Sequence, residues 1–177
     1  MVRMSPTDGY DFSLYRSDLG KELRRIRKLQ GVSVERLAES TGLHENTIGC
    51  IERGRNDIKL VSNARIMAAL GCESFDIGET TFSFTVEALA DYPERGSVLG
   101  LHASSIVYMT GRTIRERRIA EGVTILRLSE RTGIHYNTIW NIENGLVEAT
   151  LFNLYRIHKS LSVLSLKGTA KGLQIVG

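Results

Sequence analysis

Between positions 19 and 70, apolar residues recur at three- and four-residue spacing in four short stretches, and each stretch stops at a glycine. Leu19, Leu23, Ile26 and Leu29 form the first stripe. Ser17-Asp18 can cap this helix, which is predicted to run to Gln30 ahead of Gly31. Ser33 caps a second helix, Val34 to about Ser40, with Leu37 and Ala38 inward and Gly42 as its stop. A third runs from about Glu45 to Arg53 before Gly54, with Ile48 and Ile51 buried. The fourth runs from about Leu60 to Leu70 before Gly71, with Leu60, Ile66, Met67 and Leu70 apolar.

The same pattern returns 91 positions later, without a gap from Gly20/Gly111 to Leu70/Leu161. Helix one of this copy is predicted to end at Glu121 before Gly122. Thr124 caps helix two, which ends before Gly133. Helix three covers about Tyr136 to Asn144 before Gly145, and Thr150 caps helix four, Leu151 to Leu161. Thr41-Gly42-Leu43-His44-Glu45-Asn46-Thr47-Ile48 is matched by Thr132-Gly133-Ile134-His135-Tyr136-Asn137-Thr138-Ile139. A glycine between helices two and three permits a left-handed backbone at no steric cost. Helix three can then leave steeply and protrude, as a helix must to enter a major groove about 12 Å wide.

After each fourth helix the period changes to two. Phe75 and Ile77, then Phe82, Phe84 and Val86, flank Gly78-Glu79-Thr80. Val163, Leu164 and Leu166 precede Lys167–Gly172, and Leu173, Ile175 and Val176 follow. Each reads as a short β-hairpin, and pairing of the two into one sheet, within or between chains, would fix the spacing of the helical units. Val86–Asp91 reads as a turn or two of helix, and Tyr92-Pro93-Glu94-Arg95-Gly96 as a breaker. The predicted fold is therefore mainly α. It has a first four- to five-helix head at 1–72, an acidic connector with a hairpin at 73–103, a second head at 104–163, and a terminal strand or hairpin at 164–177.

Composition is that of a soluble globular chain, 42% hydrophobic and 24% charged over 177 residues. No apolar run approaches the roughly 18 residues that span a bilayer, and no signal-peptide stretch opens the chain, so a cytoplasmic location without membrane is expected. Charge is uneven. Residues 19–72 carry ten Lys+Arg against six acids, residues 110–163 eight against five, and residues 73–109 one against six. Two basic heads on an acidic connector suit contact with a polyanion. Cys50 and Cys72 face Asn141 and Val163 in the other copy, which marks them as free thiols. His44, His102, His135 and His158 form no metal-ligand spacing, and no Gly-rich phosphate loop is present. Catalysis, a metal and a cofactor are therefore not expected. His44 and His135 suit helix caps.

Both copies resemble the helix-turn-helix domains of phage repressors, Cro proteins and their bacterial relatives, the XRE family. The resemblance is carried by Gly20, Arg24, Arg27, Gly31, Leu37, Ala38, Gly42, Ile48, Ile51-Glu52-Arg53-Gly54, Leu60 and Ile66 to Leu70. In the second copy it is carried by Gly111, Arg115, Arg118, Gly122, Leu128, Gly133, Ile139, Ile142-Glu143-Asn144-Gly145, Leu151 and Ile157. It implies a partly buried ion pair between helices one and three in each head, Arg27 with Glu52 and Arg118 with Glu143.

The resemblance also implies double-stranded DNA as partner and helix three as the base reader. The implied contacts are Glu45, Asn46, Gly49 and Cys50 in one head, and Tyr136, Asn137, Trp140 and Asn141 in the other. Asn pairs with adenine, and Thr47 and Thr138 suit a thymine methyl or a phosphate. Arg53 and Arg55 suit phosphate, whereas their counterparts are Asn144 and Leu146. Val34 and Ile125 stand where family members usually carry a phosphate-binding Gln. A transcriptional regulator, a repressor, is the function this implies, as a dimer through the hairpins or as one chain carrying both heads. The 39 residues between Gly71 and Gly111 can span the roughly 34 Å between successive half-sites. The alternative is a protein-binding module such as an antitoxin or anti-repressor, favoured by Val34, Ile125, Glu45 and Trp140. An apolar rather than basic face on helix three would distinguish it.

Overall fold

The computed structural model describes residues 12–77, 80–83, 106–161, 165–169 and 172–175. The expectations for 84–105, including the helical turns at Val86–Asp91, lie outside the described residues. The first head comprises α1 (Phe12–Leu29), α2 (Val34–Thr41), α3 (Glu45–Glu52) and α4 (Leu60–Ala69). The second comprises α5 (Ile106–Ala120), α6 (Ile125–Thr132), α7 (Tyr136–Glu143) and α8 (Leu151–Leu161).

Two details of α1 differ from the sequence reading. Ser17 and Asp18 lie inside the helix rather than capping it, because Phe12 and Tyr15 extend the Leu19–Leu23 stripe toward the N-terminus and are both buried. Leu29 is 72% exposed, while Arg27 is buried. The chain turns away at Gly31, and the buried slot near this end belongs to an ion pair. Arg27 Nε and Nη2 donate to the two carboxylate oxygens of Glu52, the second at 2.9 Å, and Nη1 donates to the Val32 carbonyl at 2.8 Å. Arg118 repeats the arrangement on Glu143 at 2.6 and 2.8 Å and on the Val123 carbonyl at 2.8 Å. The hydrogen bonds that Arg27 donates to Glu52 push its pKa above the usual value, so the guanidinium stays charged. Beside each pair a glycine lets helices one and three touch. A Cβ on Gly20 would fall on the Ile51 carbonyl oxygen, and one on Gly111 on that of Ile142.

The heads join through the segments that lead into their fourth helices, and the contact is reciprocal. Leu60 N donates to the Ala149 carbonyl at 3.0 Å, and Leu151 N donates to the Ile58 carbonyl at 2.8 Å. Each bond is the image of the other under the 91-residue offset. The side chains obey the same rule. Glu148 Oε1 accepts from Val61 N at 2.7 Å, and Asp57 Oδ1 accepts from Phe152 N at 3.3 Å, so each head places a carboxylate at the start of the other's fourth helix. Phe12 stacks on Phe152 and packs near Tyr155, centroids 4.5 and 5.8 Å apart. The buried apolar side chains of both heads form one contiguous cluster.

Short strands complete the fold: β1 (Ser74–Ile77), β2 (Thr80–Ser83), β3 (Ser165–Thr169) and β4 (Gly172–Ile175). β1 pairs antiparallel with β2 and β3 with β4, while β2 runs parallel to β3 with Thr81 opposite Ser165. These pairings lie within one chain, and a homodimer built through hairpins is not supported. Phe75 and Phe82 face each other across β1–β2 and stack at 5.5 Å, both buried. His158 of α8 meets Phe82 edge-on at 5.4 Å, is 4% exposed, and neither ring nitrogen has a hydrogen-bond partner. Burial alone holds its pKa down to about 4. Met67 occupies the matching position in the first head.

Two stability predictions follow from these buried groups. Glu143→Ala leaves the Arg118 charge unpaired and is expected to lower unfolding free energy by roughly 3–5 kcal/mol. The double variant Arg118→Met, Glu143→Leu is expected to recover most of that, both measured by urea denaturation. For His158, the unfolded imidazole titrates near 6.5 and the folded one near 4, so the unfolded chain takes up the proton first. Stability is complete above about pH 6.5 and declines as pH falls to 4, by about 3 kcal/mol in all. His158→Met is expected to flatten that part of the stability–pH profile.

Candidate nucleic-acid interface

The geometry of helix three in each head is set by two local devices. Gly42 and Gly133 adopt φ of 66° and 63°, and their N–H groups close α2 and α6 on Ala38 and Ser129. A side chain with a Cβ would be strained there. The chain then enters helix three through a histidine cap. His44 Nδ1 accepts from Asn46 N at 3.1 Å, and His135 Nδ1 accepts from Asn137 N at 3.3 Å. Ile48 and Ile51, and likewise Ile139 and Ile142, anchor the inner side of each helix.

The outer side carries the residues singled out from sequence. Glu45, Asn46, Arg53 and Arg55 are exposed, and Thr47, Gly49 and Cys50 are half-buried. On α7, Tyr136, Asn137 and Trp140 are exposed, and Thr138 and Asn141 are half-buried. In both heads the helix stands at the surface with its N-terminal turn open. Cys50 and Cys72 are free thiols.

The two faces differ in chemistry. On the first head, Gly49 leaves room into which Arg53 folds back. A Cβ on Gly49 would meet Arg53 Nη1 at 3.0 Å, and Arg53 Nη2 reaches Cys50 Sγ at 3.6 Å. A guanidinium therefore lies over the middle of the α3 face. Glu45, one turn before Gly49 on the same helix, and Glu35 on α2 are exposed, and the Ser33 hydroxyl holds the Glu35 carboxyl below its usual pKa. On the second head Trp140 stands where Gly49 does, 48% exposed. The counterpart of Arg53 is Asn144, whose Nδ2 donates to the Trp140 carbonyl at 2.7 Å, while Arg115 Nη1 donates to its Oδ1 at 3.4 Å. Ile125, Leu126, Tyr136, Asn137 and Trp140 line an open groove between the starts of α6 and α7.

Leu126, 64% exposed in this groove, is a site residue that the sequence reading passed over. The signal was present, because the repeat puts Glu35 at the same position. Leu146 and Val147, just beyond α7, add to the exposed apolar surface. Among the described residues no cluster of His, Cys, Asp or Glu could hold a metal ion, and no helix is long and apolar enough to cross a membrane.

Comparison with known proteins agrees with this geometry. Residues 18–74 match a family model described as a helix-turn-helix domain, and residues 114–166 match a second, described as helix-turn-helix. Together the two matches cover more than half of the chain. No curated protein and no solved structure matches it. The matched segments contain every Gly-hinged turn, histidine cap and Arg–Glu pair described above, in both copies: the chain is a tandem helix-turn-helix protein of the XRE family.

Proposed function

We propose that this protein is a sequence-specific DNA-binding regulator in which one chain supplies both heads, α3 and α7 entering successive major grooves. The observation that carries this reading is the reciprocal exchange at 57–61 and 148–152. Two-fold-related heads are the usual means of matching a two-fold-related operator, and two-fold contacts are isologous, each patch meeting its own image. Here the equivalent patches belong to one polypeptide. The intrachain sheet ties the segments that follow the two heads and helps to hold their spacing. Occupancy of the duplex by both heads excludes other proteins from it, so the mode of regulation we assign is repression.

Phosphate would be held by Arg55 and the N-termini of α2 and α6, where Val34 and Ile125 leave the task to backbone N–H groups, while Arg53, folded over Gly49, would face the bases. Asn46 and Asn137 would each read an adenine, with Thr47, Thr138 and Asn141 beside them. A second reading, in which one head docks protein as in an antitoxin or anti-repressor, draws on the exposed Leu126, Tyr136 and Trp140.

Selection of bound sequences from a random duplex pool, followed by titration at several salt concentrations, tests the proposal. The expected complex holds one chain per duplex, and its affinity falls steeply as salt rises. Asn46→Ala and Asn137→Ala are each expected to cost about 1–3 kcal/mol on the selected site and little on random DNA. Indifference to Asn137→Ala alone would favour the second reading. The inter-head contact makes a separate prediction. With Asp57→Ala and Glu148→Ala combined, the chain is expected to tolerate half-site spacings one or two base pairs from the optimum, as read by the same titration on spacer-length variants. An unaltered spacing preference would show that these carboxylates do not set the register.

A further inference from the structure

The heads share one scaffold but not one reading face, and the difference is concentrated at a few matched positions. Gly49 and Arg53 correspond to Trp140 and Asn144, Glu45 to Tyr136, and Glu35 to Leu126. Asn46 and Asn137 are common to both. In the first head a guanidinium lies over the α3 surface, with the exposed Glu45 one turn before Gly49 on the same helix. In the second an indole fills that place, its neighbour Asn144 is turned back on the helix, and the groove beside it combines apolar walls with the single amide of Asn137.

Base edges in the major groove complement these two surfaces differently. Guanine offers the O6 and N7 acceptors that suit a guanidinium, and the amino group of its paired cytosine suits a carboxylate. An A·T pair offers an adenine edge for an amide and, next to it, the thymine C5-methyl for an apolar wall. The groove of the second head presents both halves of that complement. The positive balance of the same head suits the phosphates on either side.

Resting on the DNA-binding reading above, we infer that the two heads read chemically different half-sites. The first, through Arg53 and Glu45, takes a half-site containing a G·C pair. The second, through Trp140, Tyr136, Leu126 and Asn137, takes an A·T half-site by its thymine methyls. The operator is then an imperfect palindrome, and the chain binds it in one orientation. An ordinary homodimer must present the same face twice, whereas an internal duplication frees one face to change while the inter-head contact keeps the geometry.

The test begins with the intact chain and the selected duplex. Replacing thymidine by deoxyuridine in one half-site removes only C5-methyl groups. At about 0.8 kcal/mol per buried methyl this is expected to weaken binding about fourfold for each methyl in the second head's half-site, and not in the other. The variant Trp140→Gly with Asn144→Arg transplants the first head's pair into the second. Its selected site is expected to approach a palindrome, with the G·C half-site on both sides and no remaining response to deoxyuridine. The reciprocal variant Gly49→Trp with Arg53→Asn, expected to convert the other half-site, covers failure of the first to fold, as judged by circular dichroism. Selection of two identical half-sites by the unaltered chain would overturn the inference and leave the DNA-binding reading intact. So would a site unmoved by both transplants, which would assign the apolar groove to a protein partner. Retention of no sequence from the pool would overturn both.

Discussion

Four reciprocal hydrogen bonds, set beside the Phe12–Phe152 contact and the pairing of β2 with β3, fix the register of the two heads. Two are backbone bonds, between Leu60 and Ala149 and between Leu151 and Ile58. Two are carboxylates accepting from the opening N–H groups of the opposite fourth helix. A helix begins with N–H groups that lack an intrahelical partner, and a buried one left unmet is costly. Lys59 offers α4 no side-chain cap of its own. Glu148 thus supplies what α4 lacks, while at α8 Asp57 adds to the Thr150 hydroxyl, which accepts from Asn153 N. The joining segment immediately follows α3 or α7, so the reading helices lie a few residues from the contact. Little chain intervenes to dissipate a fixed relation between them.

Within each head a second constraint keeps the reading helix at a fixed attitude. Arg27 and Arg118 tie the end of helix one to the end of helix three, and both are capped by the carbonyl at the start of the following turn. A buried ion pair contributes little net stability, because desolvation consumes most of the Coulombic gain. Its contribution lies in direction. The bidentate fork accepts one orientation of the carboxylate, and glycine at 20 and 111 brings the helices close enough for it. Everything in this framework recurs at the 91-residue offset: ion pair, glycine contact, left-handed turn and histidine cap. On the outward surface of helices two and three the copies diverge, at Glu35/Leu126, Glu45/Tyr136, Gly49/Trp140 and Arg53/Asn144.

This division explains what could be read from the chain and what could not. Helices two and three of each head, and helix four of the first, were legible because their glycine stops and apolar residues are local signals; helix four of the second, followed by Ser162 where the first has Gly71, was legible from the repeat and its Thr150 cap. The start of α1 was less so: Ser17-Asp18 resembles a cap, and only burial of Phe12 and Tyr15 reveals that the helix is already under way. The inter-head contact left no periodic trace. Asp57 and Glu148 look like loop carboxylates, and Ile58–Leu60 and Ala149–Leu151 are too short to read as strands. Burial of His158 was hinted at only by its match to Met67, an argument available from the repeat alone. The candidate base readers were legible as positions, since the repeat and the family pattern place them. The chemistry of the faces was not. That Arg53 folds over Gly49 while Asn144 turns inward beside Trp140 depends on side-chain geometry that spacing does not encode.

Tethering also changes what the second head must supply. Its counterparts of Arg53 and Arg55 are Asn144 and Leu146, so it has two fewer cations on the surface that would meet DNA in the proposed complex. For a free domain that loss would lower affinity directly, since backbone electrostatics supply most non-specific attraction to DNA. For a domain held in register by a preformed contact, engagement after the first head is an intramolecular event whose effective concentration is set by the geometry of the join. On the proposed two-head binding, long-range attraction would fall to the first head, and the second could trade charge for shape. The exposed indole and leucine, poor features for a surface that must find DNA unaided, are acceptable on one that is delivered to it. In the proposed complex the same rigidity would have a cost: a spacing that the join does not match would forfeit the second contact altogether, so the register set at residues 57–61 and 148–152 would be part of the specificity.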